Sequence, residues 1–176
     1  MNLLATWNIR ALAAGLLFSL TCHASEIETV DGPNVRCMKM EDGSRAVFVR
    51  SPDSRTLTKK TVSPNGVLTM LTTYRMDSEG NPLNCKIKDG QNQEMFKVSY
   101  GYHRVTGQLV SELMFDSRVK RINPDNGKEM PVQRIVYLYD AEGKRSAPIV
   151  FNLLPGKTFE QVFGVKSSAL ESNPFK

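Results

Sequence analysis

Asp-Gly and Asn-Gly pairs punctuate this chain at short intervals: Asp31-Gly32, Asp42-Gly43, Asn65-Gly66, Asp89-Gly90 and Asn126-Gly127, with Gly80, Gly107 and Gly143 adding further bends. Such pairs tolerate positive φ and favour tight hairpins. Between the glycines lie mostly 9 to 22 residues, rich in Val, Thr, Tyr and Phe and alternating in polarity. The pattern predicts an all-β fold, an antiparallel meander of hairpins that forms a curled sheet, a barrel or a sandwich.

The alternation assigns faces. In VLTMLTTYRM, Leu68, Met70, Tyr74 and Met76 share a face around Thr72. In EMFKVSYGYH the shared face is Phe96, Val98, Tyr100 and Tyr102, and in LNCKIK it is Leu83, Cys85 and Ile87. Successive strand side chains point to opposite faces, so each of these strands should be buried on one side and wet on the other. VQRIVYLY differs, because Val132, Val136 and Leu138 on one face and Ile135, Tyr137 and Tyr139 on the other predict a central strand covered on both sides. Its partner after the turn, Ser146 to Leu154, holds Pro148, which lacks a main-chain donor and predicts an unpaired side or a bulge.

Helix is scarce. Thr158 to Phe163 predicts one short helix near the C-terminus, with Thr158 and Gln161 as a capping box, Gly164 as its stop, and Phe159, Val162 and Phe163 as an apolar edge that plugs the sheet. The polar stretch Arg118 to Pro131 is the longest expected loop, and residues 167–176 read as a tail.

The first 24 residues have the layout of a secretory signal peptide cleaved before Ser25: Arg10, an apolar run from Ala11 to Leu20, then a short polar stretch ending at Ala24. That run is short of the ~20 residues a spanning helix needs. The alternative is a lipoprotein anchored through Cys22, although Ser19 and Thr21 depart from the small and aliphatic residues such signals carry. Removing 24 residues from 176 leaves 152, the size of one domain, read as 25–166 plus the tail. Losing Arg10 leaves 22 basic against 18 acidic residues, a mild and dispersed excess. It suits a solvated surface or anionic envelope polymers, and no aromatic-interleaved basic stripe points to nucleic acid.

An oxidising compartment favours pairing the two cysteines of the mature chain, Cys37 and Cys85. A bridge would close a loop of about 49 residues and stabilise the fold by about 4 kcal/mol.

Two stretches nearly repeat: YRMDSEGN from Tyr74 and YLYDAEGK from Tyr137 share Tyr, Asp77 or Asp140, and Gly80 or Gly143 at matching positions. As calcium loops they run out of oxygens, because Asn81-Pro82-Leu83 and Lys144-Arg145 follow the glycines. As hairpin ends they suit a type I turn with Asp first and Gly in the left-handed position. YLYDAEGK resembles a single YD repeat of the Rhs type, and the glycine-ended hairpins resemble MORN-like modules. The resemblance covers these short stretches only. It implies extended or shell-forming β-structure in secreted or surface proteins, with no active site carried over.

Catalytic chemistry has little to stand on. The mature chain has a single histidine, His103, no Gly-x-Ser-x-Gly elbow, no phosphate-binding loop before a helix, and too few ligands for zinc. Neither a catalytic residue, a metal nor a cofactor is expected. The expected protein is an exported, non-catalytic binding or structural module of the periplasm or cell surface, with an envelope protein or glycan as partner. Its rival is an envelope-polymer hydrolase drawing a carboxylate pair from Glu94, Glu112, Asp116 and Asp140.

Overall fold

One turn geometry recurs along the chain. In residues 77–81 the Asp77 N–H reaches Asn81 O at 2.8 Å and the Gly80 N–H reaches Asp77 O at 3.3 Å. The same pair of bonds closes residues 40–44, 63–67, 89–93 and 140–144. The fourth residue of this turn takes positive φ, 77° at Gly80 and 78° at Gly143, where a side chain would be strained. Asn92 fills the same position with φ 68°, which asparagine tolerates better than most residues.

The computed structural model describes residues 31–154, 159–164 and 174–175. Residues 1–24, the alternative anchor Cys22, Ser25 and the helix cap Thr158 lie outside them. Nine strands form one antiparallel sheet: β1 (Val35–Lys39), β2 (Arg45–Arg50), β3 (Thr56–Val62), β4 (Leu68–Met76), β5 (Pro82–Asp89), β6 (Glu94–Tyr102), β7 (Leu109–Asp116), β8 (Gln133–Val136) and β9 (Ile149–Asn152), followed by α1 (Phe159–Phe163). Each strand pairs with its neighbours in sequence, in the order β1 to β9, and the sheet is an open meander. None of the described helices is long and apolar enough to cross a membrane.

Directly opposed residues share a face, so the registers trace the core across the sheet. One row runs Phe48, Lys59, Thr72, Ile87, Phe96, Asp116. The next runs Leu57, Tyr74, Cys85, Val98, Met114. Every residue in both rows is buried. The faces expected for β4, β5 and β6 are those observed: Tyr74 and Met76, Cys85 and Ile87, Phe96, Val98 and Tyr100 all point into this core.

A single sheet cannot bury a face unaided, and the C-terminal residues cover part of this one. Phe159 and Phe163 of α1 place their rings 6.0 and 6.2 Å from that of Phe96. Gly164 ends the helix with φ 70°, its N–H bonded to Glu160 O at 2.8 Å. Further on, Phe175 lies beneath two guanidiniums, 5.2 Å from Arg36 and 4.7 Å from Arg50, and packs against the core. Within the stretch read as a tail, 167–176, the ring of Phe175 thus finds apolar contact and two cations.

Two further expectations are corrected. Cys37 and Cys85 are free thiols. Cys37 opposes Val47, whose row continues through Lys60 and Leu71 on the outer face, whereas Cys85 points into the core. Strands β2, β3 and β4 stand between them, about 19 Å of sheet at ~4.8 Å per strand. A disulfide requires Cα atoms within about 7 Å. The stretch VQRIVYLY is also not covered evenly on both sides: Ile135 and Tyr137 are buried, whereas on the opposite face Val132 is buried, Val136 half-buried and Leu138 exposed. The strand lies next to the sheet's last strand, and on its outer face Arg134 and Leu138 are exposed.

Candidate functional site

The residues singled out by sequence occupy separate places. At the hairpin tip after β4, Asp77 Oδ1 accepts the N–H groups of Glu79 at 2.9 Å and Asn81 at 2.7 Å, and Oδ2 accepts from Asn81 Nδ2 at 3.1 Å. At the tip after β8, Asp140 Oδ1 accepts the Lys144 N–H at 2.7 Å. Both carboxylates are thus spent on their own turns, with Gly80 and Gly143 making the bend. We predict that Asp77→Ala destabilises the chain by about 1 kcal/mol in urea titration, and that adding calcium leaves the wild-type midpoint unchanged. A calcium-dependent rise would overturn the turn assignment.

His103 sits in the turn after β6, its Nδ1 3.2 Å from the Thr106 main-chain N and exposed. Glu94 is bound by Ser117 at 2.9 Å and Lys86 at 3.3 Å. Asp116 forms a bidentate pair with Arg118 at 2.8 and 2.7 Å, which holds its carboxyl below the usual range against the opposing effect of burial. Glu112 and Asp116 share a face four residues apart on β7, about 13 Å, beyond the ~5–9.5 Å span of glycosidase carboxylate pairs. Among the described residues no group of three or more His, Cys, Asp and Glu side chains is placed to hold a metal ion.

The registers do assemble one polar cluster within the core. Tyr74 opposes Cys85, whose Sγ lies 3.4 Å from the Tyr100 hydroxyl. Tyr100 opposes Glu112, and Glu112 Oε1 accepts a hydrogen bond from the Tyr137 hydroxyl. Tyr102 and Tyr139 close the rim, donating to Pro82 O at 2.7 Å and Leu109 O at 2.8 Å. Tyr100, Tyr102 and Tyr137 thus feel the charge of one glutamate that is 2% exposed, and Tyr74 and Tyr139 extend the cluster beyond them. Glu112 Oε2 has no hydrogen-bond partner among the described residues.

Burial dominates the chemistry of this cluster. It raises the Glu112 carboxyl, against the lowering effects of the Tyr137 hydroxyl and Arg145. It raises the hydroxyls of Tyr100, Tyr102 and Tyr137 and pushes the Cys85 thiol up to about 12. The buried thiol and hydroxyls therefore stay neutral near neutral pH and are poor nucleophiles. Sequence reasoning missed the cluster, since its bonds join residues 15 and 25 positions apart. A thiol reagent is expected to label Cys37 in the native protein and Cys85 only after denaturation, with the intact mass showing no two-proton loss. Labelling of neither thiol in the denatured, unreduced chain would restore the bridge.

The two edges of the sheet differ sharply. On β1, the Arg50 N–H bonds Asn34 O, so alternation turns the main-chain groups of Val35 and Cys37 outward. The chain covers them itself: Gly32 and Val35 exchange bonds of 3.0 and 3.2 Å, and Asp31 Oδ1 accepts the Cys37 N–H at 2.7 Å. On β9, Leu153 N–H bonds Val132 O, so residues 149, 151 and 153 face β8, and Val150 and Asn152 turn theirs outward. Ile149, Val150, Phe151 and Leu153 are 42, 51, 47 and 46% exposed, and Ser146 to Leu154 carries no charge. This edge is the unpaired side that Pro148 predicts.

No protein-family model matches the chain, and no curated protein matches it.

Proposed function

We propose that this chain is an exported, non-catalytic β-sheet module of the cell envelope that binds protein by taking an extended strand onto β9. The observation that carries the reading is the contrast between the edges. An edge strand offers a row of main-chain donors and acceptors, and proteins ordinarily blunt such edges with charge, proline or covering chain. Here β1 is covered by Asp31 and Gly32, while β9 is apolar, uncharged and, among the described residues, open. Strand addition supplies main-chain hydrogen bonds for affinity and alternate side-chain contacts for specificity. Export rests on the leader-like residues 1–24, and the mature start is Ser25 in this reading, as against Cys22 for a lipidated form.

The test places a photo-crosslinking residue at Phe151 in the full chain expressed in an exporting host. A covalent adduct formed on illumination, and absent when the same residue replaces Val105 at the tip after β6, is the expected result. Folded, exported protein that gives no adduct at Phe151 would remove the reading. Mass spectrometry of the same material fixes the mature N-terminus.

A further inference from the structure

Resting on the strand-addition reading, we infer that the occupant of the β9 edge is a second copy of this chain, joined β9 to β9 about a two-fold axis through Phe151. Two copies of β9 that pair antiparallel about an axis perpendicular to the sheet must oppose residues whose numbers share parity, because the side chains of a directly opposed pair lie on one face. The outward main-chain groups belong to Val150 and Asn152. One register satisfies them all: Val150 of one copy opposite Asn152 of the other, and the reverse. It forms four N–H to carbonyl bonds and sets Phe151 opposite itself as the close, non-hydrogen-bonded pair between them.

The side chains fit the same register. Ile149 falls opposite the partner's Leu153 on both sides of the central Phe151 pair, so three apolar contacts on the outer face replace exposed surface. Pro148 falls opposite the partner's Leu154. Proline has no N–H to give, and the Leu154 N–H already points back to Val132 O at 3.4 Å, so the ladder ends there at both ends. The pairing is as long as the open edge and no longer.

Charge and topology favour a self-pair over a foreign strand. Ser146 to Leu154 holds no ionisable residue, so two copies meet without like-charge repulsion. The covered β1 edge prevents β1 from pairing with β9 of the next copy, which would build an open filament. An isologous β9 contact closes at two, and it joins the nine strands of each copy into one continuous sheet.

Sedimentation of the mature chain over a range of concentrations tests this directly. A monomer–dimer equilibrium is expected, with Phe151→Lys raising the dissociation constant more than about thirtyfold while leaving the far-ultraviolet spectrum in place. A second measurement does not depend on that variant. Opposed Cα atoms of a non-hydrogen-bonded pair lie about 4.5 Å apart, within disulfide reach. Phe151→Cys, in a Cys37→Ser background, should therefore oxidise to a covalent dimer faster than a Val105→Cys control. A chain that stays monomeric at its highest soluble concentration and crosslinks no faster than the control overturns the inference, as does a dimer that Phe151→Lys leaves intact. If the photo-adduct at Phe151 then has a mass other than twice the chain, strand addition stands and self-pairing falls. If there is no adduct either, both fall.

Discussion

Replacing Phe96 by alanine is expected to remove about 3–5 kcal/mol of stability. Phe96 is 0% exposed and stands where three parts of the fold meet. Ile87 and Asp116 flank it on the neighbouring strands, Phe159 and Phe163 of α1 pack on its ring, and the Arg118 guanidinium lies 5.1 Å from its centroid. Truncation loses the transfer free energy of the ring and leaves a cavity that a hydrogen-bonded sheet cannot collapse to fill. It also unseats α1, since a five-residue helix has no stability of its own in water. Domains of this size are stable by about 5–15 kcal/mol, so the variant forfeits a large share. Urea unfolding gives the free energy, and limited proteolysis in residues 159–164 reports the helix. A loss below about 1 kcal/mol would mean the ring is not the keystone of this packing.

Glu112→Gln is expected to stabilise the protein, and only above acidic pH. Burial raises the carboxyl of Glu112 in the folded state, although the Tyr137 hydroxyl and Arg145 act the other way. At about pH 4, near the unfolded value of ~4.3, both states largely keep the proton and the variant gains little. As pH rises past that value the unfolded chain releases its proton first while the folded chain holds it. Stability then falls with pH until the folded carboxyl also ionises. Glutamine cannot ionise, keeps an oxygen to accept from Tyr137, and avoids a buried carboxylate whose Oε2 is unsatisfied. The gain at about pH 8 is expected to be about 1–3 kcal/mol. Melting midpoints of the two proteins across that range should diverge upward with pH, and divergence in the opposite direction would show that the ionised form is the one the fold prefers.

Much of the sheet is legible in the residues themselves. Glycine and Asx pairs mark the hairpin ends, and period-two alternation assigns the inner faces of β4, β5 and β6, because there the apolar face and the core face coincide. The reasoning breaks down on β7. In LVSELMFD the face with Leu109, Leu113 and Phe115 is the more apolar, yet Glu112, Met114 and Asp116 point inward and only Leu109, beyond a bulge in the pairing, joins them in the core. The pairing with β6 places these three opposite Tyr100, Val98 and Phe96, and Glu112 and Asp116 find partners there in Tyr137 and Arg118. A carboxylate that finds a partner can be carried inward by its neighbours' register, and alternation within one strand does not contain that information. The open edge was closer to the surface of the sequence. Pro148 in an uncharged apolar run signals a strand with one unpaired side, but that the opposite edge is covered depends on Asp31 reaching a strand six residues on.

The order of the strands has a consequence for how the molecule assembles. Every β pairing joins neighbours in sequence, so each closes a short loop, and hairpins can zip in succession without waiting for a distant segment. One contact runs against this local logic: Phe175 reaches back to Arg36 and Arg50, nearly the full length of the described chain. For a chain that emerges N-terminus first, the sheet can be complete before that ring arrives. Phe175 then acts as the latch of a structure whose strands are already in register.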